Sequence, residues 1–148
     1  MADLKLQGFA GLDKALEELS KAAGKGVLRR SLKKAAEPMA ELARSMAPVG
    51  DTGNLADSVA YGTKLTKRQA ALHRKMFRDD KASVEGFVGA NDPAAVQMEF
   101  GNINHGPQPF MRPAFDQDAM PLLDRLGKEL ALEVEKSVTR ARRKAARG

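Results

Sequence analysis

The sequence predicts an α+β fold, with a small antiparallel sheet packed against two N-terminal helices and a long C-terminal helix. Three observations carry this. Apolar residues recur at helical spacing toward both ends of the chain. Between them lie two short strand-like segments, Ser58 to Leu65 and Ser83 to Gly89. The 148 residues, 43% hydrophobic and 30% charged, suit one globular domain over 1–148 with a core of its own.

Leu4 and Leu6 alternate with Lys5 and Gln7, which suggests a short strand before Gly8. Leu12, Ala15, Leu16, Leu19 and Ala23 then take helical spacing, and Gly24 and Gly26 are expected to end that helix. The second helix carries Leu28, Leu32, Ala35, Met39, Leu42 and Met46 as one apolar stripe. Pro38 lies inside it, and a stripe that stays in phase past a proline predicts a bend rather than a stop.

Pro48 disfavours helix at Ala47, Gly50 and Gly53 can take positive φ, and Asp51, Thr52 and Asn54 can cap a tight turn with Leu55 as its apolar anchor. Val59, Tyr61 and Leu65 mark one strand, and Val84, Phe87 and Val88 the next; so close in sequence, the two are expected to pair antiparallel. The link between them, 64–81, is a basic, helix-prone insertion. Asp92-Pro93 opens a short helix through Val96 and Met98 to Phe100, which Gly101 ends. Asp116 or Asp118 is expected to cap the last helix, which carries Leu123, Leu126, Leu130, Val134 and Val138 and dissolves into a basic tail over 137–148.

The net charge of +6 is unevenly placed. Residues 64–81 hold seven basic and two acidic side chains, 82–135 three and nine, and 136–148 six and none. Two basic blocks beside an acidic stretch would suit a polyanion, or head-to-tail packing of identical subunits. With no cysteine, disulfides and thiolate metal sites are excluded. The N-terminus has no signal-peptide pattern, and no apolar run reaches the roughly 20 residues of a membrane span, so a soluble intracellular product is expected.

Catalytic chemistry finds no footing. His73 and His105 are far apart, and neither a Ser-His-Asp arrangement nor a zinc spacing exists, so both are expected at the surface. "AAGKG" lacks the earlier glycine of a phosphate loop, whose place is taken by Leu19. Glu129, Glu133 and Glu135 read as the solvated face of a helix. No catalytic, cofactor-binding or metal-binding residues are assigned. Lys64, Lys67, Arg68, Arg74, Lys75 and Arg78 could face DNA phosphates, although only Phe77 is present to stack on a base.

Three stretches in order are more specific: "APVGDTGNLADSV" (Ala47 to Val59), "FVGA" (Phe87 to Ala90) and "MEFGNINHGPQPFMRPAF" (Met98 to Phe115). The first meets an Ala-Pro, Thr-Gly, Leu, Ser pattern at Ala47, Pro48, Thr52, Gly53, Leu55 and Ser58. The last meets Glu-Phe-Gly at Glu99, Phe100 and Gly101, and Pro-Phe-Met-Arg-Pro-Ala at Pro109, Phe110, Met111, Arg112, Pro113 and Ala114. Together they resemble the minor tail, neck or tail-completion (head–tail joining) family of long-tailed bacteriophages, over roughly residues 8–135.

The resemblance implies a structural, non-enzymatic virion protein of the neck or tail, made in the host cytoplasm. It implies a homo-oligomeric ring, expected to be a hexamer, that joins or completes the tail at the head–tail interface with DNA passing through the lumen. Its partners would be other neck, connector and tail-tube proteins and non-specifically held DNA, with no membrane, cofactor or small-molecule substrate. The chain departs from the pattern in its long basic 64–81 link, and in having no aromatic near Ala94 and Ala95.

A proline-stiffened segment loses little entropy on docking, so Glu99, Phe100, Pro109, Phe110, Met111 and Arg112 are the candidate subunit or partner interface. For Phe110 and Phe115, packing into the chain's own core is the favoured expectation and a subunit interface the alternative, and Glu99 is the expected partner of Arg112, within or between subunits. The alternative function is a small basic nucleic-acid-binding protein acting outside a virion.

Overall fold

The computed structural model describes residues 21–50, 53–78 and 84–148. The strand expected at Leu4 and Leu6, most of the first helix, and the caps Asp51 and Thr52 lie outside them. In order, the elements are α1 (Lys21–Met46), α2 (Asn54–Asp57), β1 (Val59–Gly62), α3 (Lys67–Met76), β2 (Phe87–Ala90), α4 (Ala94–Phe100) and α5 (Met111–Arg147). The small antiparallel sheet, the helices around it and the long last helix make an α+β fold that is mostly helical.

Gly24 and Gly26 do not end a helix, as expected from sequence; they lie inside α1. An interior glycine costs about 1 kcal/mol against alanine. The next turn offsets this with Val27, whose side chain is fully buried. The buried stripe of α1 also differs from the expected one. It runs through Val27, Ser31 and Ala35, then Ala36, Met39, Ala40 and Ala43, while Leu28, Leu32, Leu42 and Met46 are only half-buried. Small side chains allow neighbouring backbone to approach closely, so alanines rather than leucines mark the deepest line.

The chain forms two compact units, 1–35 with 123–148 and 36–122. In the described part of the first, Val27 packs against Leu130 and Val134, with Leu28, Leu126 and Val138 around them. The two helical segments run antiparallel there, because Arg30 meets Glu133 whereas Ala35 meets Arg125. Arg125 donates from Nε at 3.1 Å and Nη2 at 2.9 Å to the Ala35 carbonyl. That carbonyl sits in the turn before Pro38, where a missing N–H and a crowding ring loosen the helix ladder.

Glu133 is not on a solvated face. It is buried, taking Arg30 Nε at 2.8 Å and Lys34 Nζ at 3.0 Å. These hydrogen bonds and charges outweigh the cost of burial and hold its carboxyl at about 2. Glu129 adds a second contact to Lys34 at 3.4 Å, and Glu135 stays exposed. The basic C-terminal stretch does not dissolve either: α5 continues to Arg147, with every residue from Thr139 onward exposed.

In the second unit, Ala40 and Ala43 of α1, Ala47 just after it, Leu55 of α2, Val59 of β1, and Phe110 and Ala114 form one core. Val88, Ala90, Ala95, Met98 and Met111 pack around it. Leu55 is thus the anchor that the turn motif promised. The strands pair antiparallel, Val59 opposite Ala90 and Gly62 opposite Phe87, over a shorter span than the alternation suggested. Arg44 ties α1 to the sheet by donating from Nε to the Val59 carbonyl at 2.8 Å, and it pairs with Glu37 at 3.2 Å.

Candidate assembly interface

The site is built from α4 upward. Asp92 opens this helix by accepting the Ala94 amide at its Oδ1, at 2.8 Å. Gly101 closes it with φ 76°, a backbone region that L side chains rarely occupy. A Cβ there would also lie 2.8 Å from the Pro107 nitrogen, so glycine is required twice over.

Between these ends, Glu99 reaches across to the start of α5. Its Oε2 accepts the amides of Phe110 at 2.8 Å and Met111 at 3.0 Å, and its Oε1 accepts the Arg112 amide at 2.9 Å. The first amide to find a partner inside the helix is Ala114, bonded to the Phe110 carbonyl. A helix start leaves four such donors unpaired. Here Pro113 has none to offer, and Glu99 takes the other three. The spacing of Glu-Phe-Gly and Pro-Phe-Met-Arg-Pro is therefore one device: a carboxylate, a turn and a helix start whose donors are all accounted for. Asp116 and Asp118 do not cap α5; both lie inside it.

Burial raises the affinity of the Glu99 carboxyl for its proton. The amide bonds from Phe110, Arg112 and Met111, with the Arg112 charge, outweigh that and hold it below the ordinary carboxylate range. The favourable placement of a negative charge at a helix N-terminus acts in the same direction. The expected Glu99–Arg112 ion pair does not form: Glu99 takes the Arg112 backbone amide instead, and among the described residues the guanidinium makes no ion pair and stays exposed.

The connection from Gly101 to Pro109 is also ordered by its own bonds. The Asn102 amide donates to the His105 carbonyl at 2.9 Å, and its Oδ1 accepts the Asn104 and His105 amides. Gln108 returns to the Met98 carbonyl at 2.7 Å. His105 is half-buried in this network rather than freely exposed, while Ile103 projects fully into solvent.

The expected interface residues divide on this scaffold. Phe110 is fully buried in its own core and is unavailable to a neighbour in this arrangement. Phe100 is 68% exposed, and Pro109 and Arg112 are exposed, with Met111 half-buried. Phe115 was expected in the core beside Phe110 but is 58% exposed, because it lies about 100° round α5 from the buried Ala114. Val96, which sequence reasoning placed only as a helix residue, is 66% exposed. Val96, Phe100, Met111, Arg112 and Phe115 border one shallow apolar hollow whose floor is Gly89, Ala90 and Ala95. Spacing along α4 could have placed Val96 and Phe100 together, being four residues apart.

The turn motif borders a second hollow of about 390 Å³, where Pro48, Gly53 and Leu55 meet Met98, His105 and Gln108. Gly53 takes φ 64°, as a turn of this kind requires. The two motifs that are distant in sequence therefore share one end of the second unit.

The candidate DNA-facing residues gather on and beside α3. Thr66 caps it in a reciprocal box with Gln69, and none of its residues is buried. Lys64, Lys67, Arg68, Arg74, Lys75 and Arg78 are all exposed. His73 is not a free surface histidine: its ring lies 4.8 Å from Phe77 and 5.3 Å from Phe87, with Glu85 at 3.8 Å. Among the described residues no group of acidic, His or Cys side chains could hold a metal, and no helix is long and apolar enough to cross a membrane.

A family model described as "Bacteriophage HK97-gp10, putative tail-component" matches residues 10–101. The match takes in the turn motif, both strands, α4 and Glu99, and ends just before the loop that leads to α5. No curated protein and no solved structure matches the chain.

Proposed function

Since the chain belongs to the HK97-gp10-like family of phage tail components, we propose that it is a structural subunit of a ring at the head–tail joint. In this reading the ring, a hexamer, joins or completes the tail, stacks between connector and tail-tube proteins, and lets DNA pass through its lumen. The protein assembles in the host cytoplasm and functions in the virion, with no catalytic step.

One observation carries this reading. Val96, Phe100 and Phe115 are exposed together on a joint that Glu99 and Gly101 hold rigid. Large apolar side chains gathered on a stiff scaffold suit repeated protein–protein contact, because little ordering entropy is lost on docking. Particles made without the protein should accumulate as filled heads and separate tails, and adding the purified protein should join them. Normal joining in its absence would remove the reading.

A second reading, a nucleic-acid-binding protein outside the virion, draws on α3, where five basic side chains and the half-exposed Phe77 lie within twelve residues. It requires duplex binding that weakens steeply with salt and a function independent of tails.

A further inference from the structure

This inference rests on the ring reading and names its contact. We propose that α3 of one subunit docks on the hollow formed by Val96, Phe100 and Phe115 of the next copy.

Two unpartnered apolar surfaces exist on the same unit. On α3, Leu72 is 54% and Met76 is 76% exposed. Four residues apart, they share one helix face, flanked by Arg68 and Lys75. His73, about 100° round the helix from Leu72, packs against Phe87 of its own subunit. The Leu72–Met76 face is thereby presented outward on a helix whose start is fixed by the Thr66–Gln69 box. None of the α3 residues borders the hollow at Val96, Phe100 and Phe115.

Charge selects the pairing. Residues 64–78 carry six basic side chains and no acidic one, whereas the hollow is lined by Glu99 and Arg112. Asp116 is exposed on α5 and directly follows Phe115. A basic apolar helix suits an apolar hollow where Glu99 and Asp116 outnumber Arg112, while two copies of α3 repel. Different patches meeting head to tail form a ring where the rotation closes. DNA contact alone would use the cations of α3 but leave Leu72 and Met76 unexplained, since phosphates offer them nothing.

The chain has no cysteine of its own, so introduced thiols report one contact only. Particles carrying both Leu72→Cys and Phe100→Cys, treated with a short bismaleimide, should give a ladder of covalent multimers that stops at the ring number. Either single variant should give monomer. A visible ring in the same particles with only monomeric chain would overturn the docking while leaving the ring intact. A covalent dimer from Leu72→Cys alone would overturn it by placing two α3 helices together. Absence of the ring itself would remove the reading beneath it. Without cross-linking, Arg68→Glu with Lys75→Glu should reduce head–tail joining at least tenfold, and Asp116→Lys should restore part of it. No rescue, with loss of DNA retention instead, would assign α3 to DNA and overturn the proposal.

Discussion

Glu99 meets Arg112 through the backbone: its Oε1 accepts the Arg112 amide at 2.9 Å, and the guanidinium is left to solvent. The carboxylate therefore fixes where α5 begins, and the arginine is free to rim the hollow beside Phe100 and Phe115. One residue builds the joint and the other faces outward from it.

Glu99→Ala should remove the acceptor for three amides and destabilise the fold by about 2 kcal/mol, with Glu99→Gln costing roughly half as much because one oxygen remains. Chemical denaturation of the purified variants measures both. Arg112→Ala should leave stability nearly unchanged and act on head–tail joining. Equal destabilisation by the two would mean that the guanidinium, not the amide, carries the contact.

Acid should destabilise the protein through Glu99 and Glu133. Both carboxyls are held below their ordinary range, Glu133 at about 2. Their contribution is complete above the ordinary value of 4.5 and is lost as pH falls from there toward about 2. Denaturation midpoints followed downward from neutral pH should fall through that window, and Glu133→Gln should flatten the slope while lowering the neutral midpoint.

Phe110→Ala and Phe100→Ser should separate core from surface. The first empties a fully buried site and should cost about 3 to 5 kcal/mol. The second alters a side chain that is 68% exposed and should change stability by no more than about 0.5 kcal/mol, yet impair joining. Thermal melting and a head–tail joining assay distinguish them.

Gly101→Ala should be costly although it adds one methyl. The φ of 76° and the 2.8 Å approach to the Pro107 nitrogen leave no relaxed place for a Cβ. A loss of about 1 to 3 kcal/mol is expected, whereas Gly106→Ala, with open space around it, should cost much less.

Local signals in the sequence were reliable where the structure uses local contacts. The Asp92 start and Gly101 end of α4 follow from neighbours within a few residues, and the strands pair across a single link. What could not be read depends on distant partners. The cap of α5 comes from Glu99, 11 residues before Phe110, so the nearby Asp116 and Asp118 looked like better candidates. Glu133 is buried because Arg30 and Lys34 reach it from about 100 residues away. The buried line of α1 runs through alanines, which carry little weight in a pattern of large apolar residues. The favoured core packing of Phe110 and Phe115 holds for the first, which is fully buried, and fails for the second, which is 58% exposed, because that choice belongs to packing.

Imaging of the intact virion by electron cryo-microscopy at side-chain resolution tests the central claim most directly. The expected result is a closed ring of this subunit at the head–tail joint, with DNA or an open channel on its axis and the Val96, Phe100 and Phe115 hollow covered by the adjacent copy. A joint built without this chain, or the chain present there with that hollow facing solvent, would contradict the account.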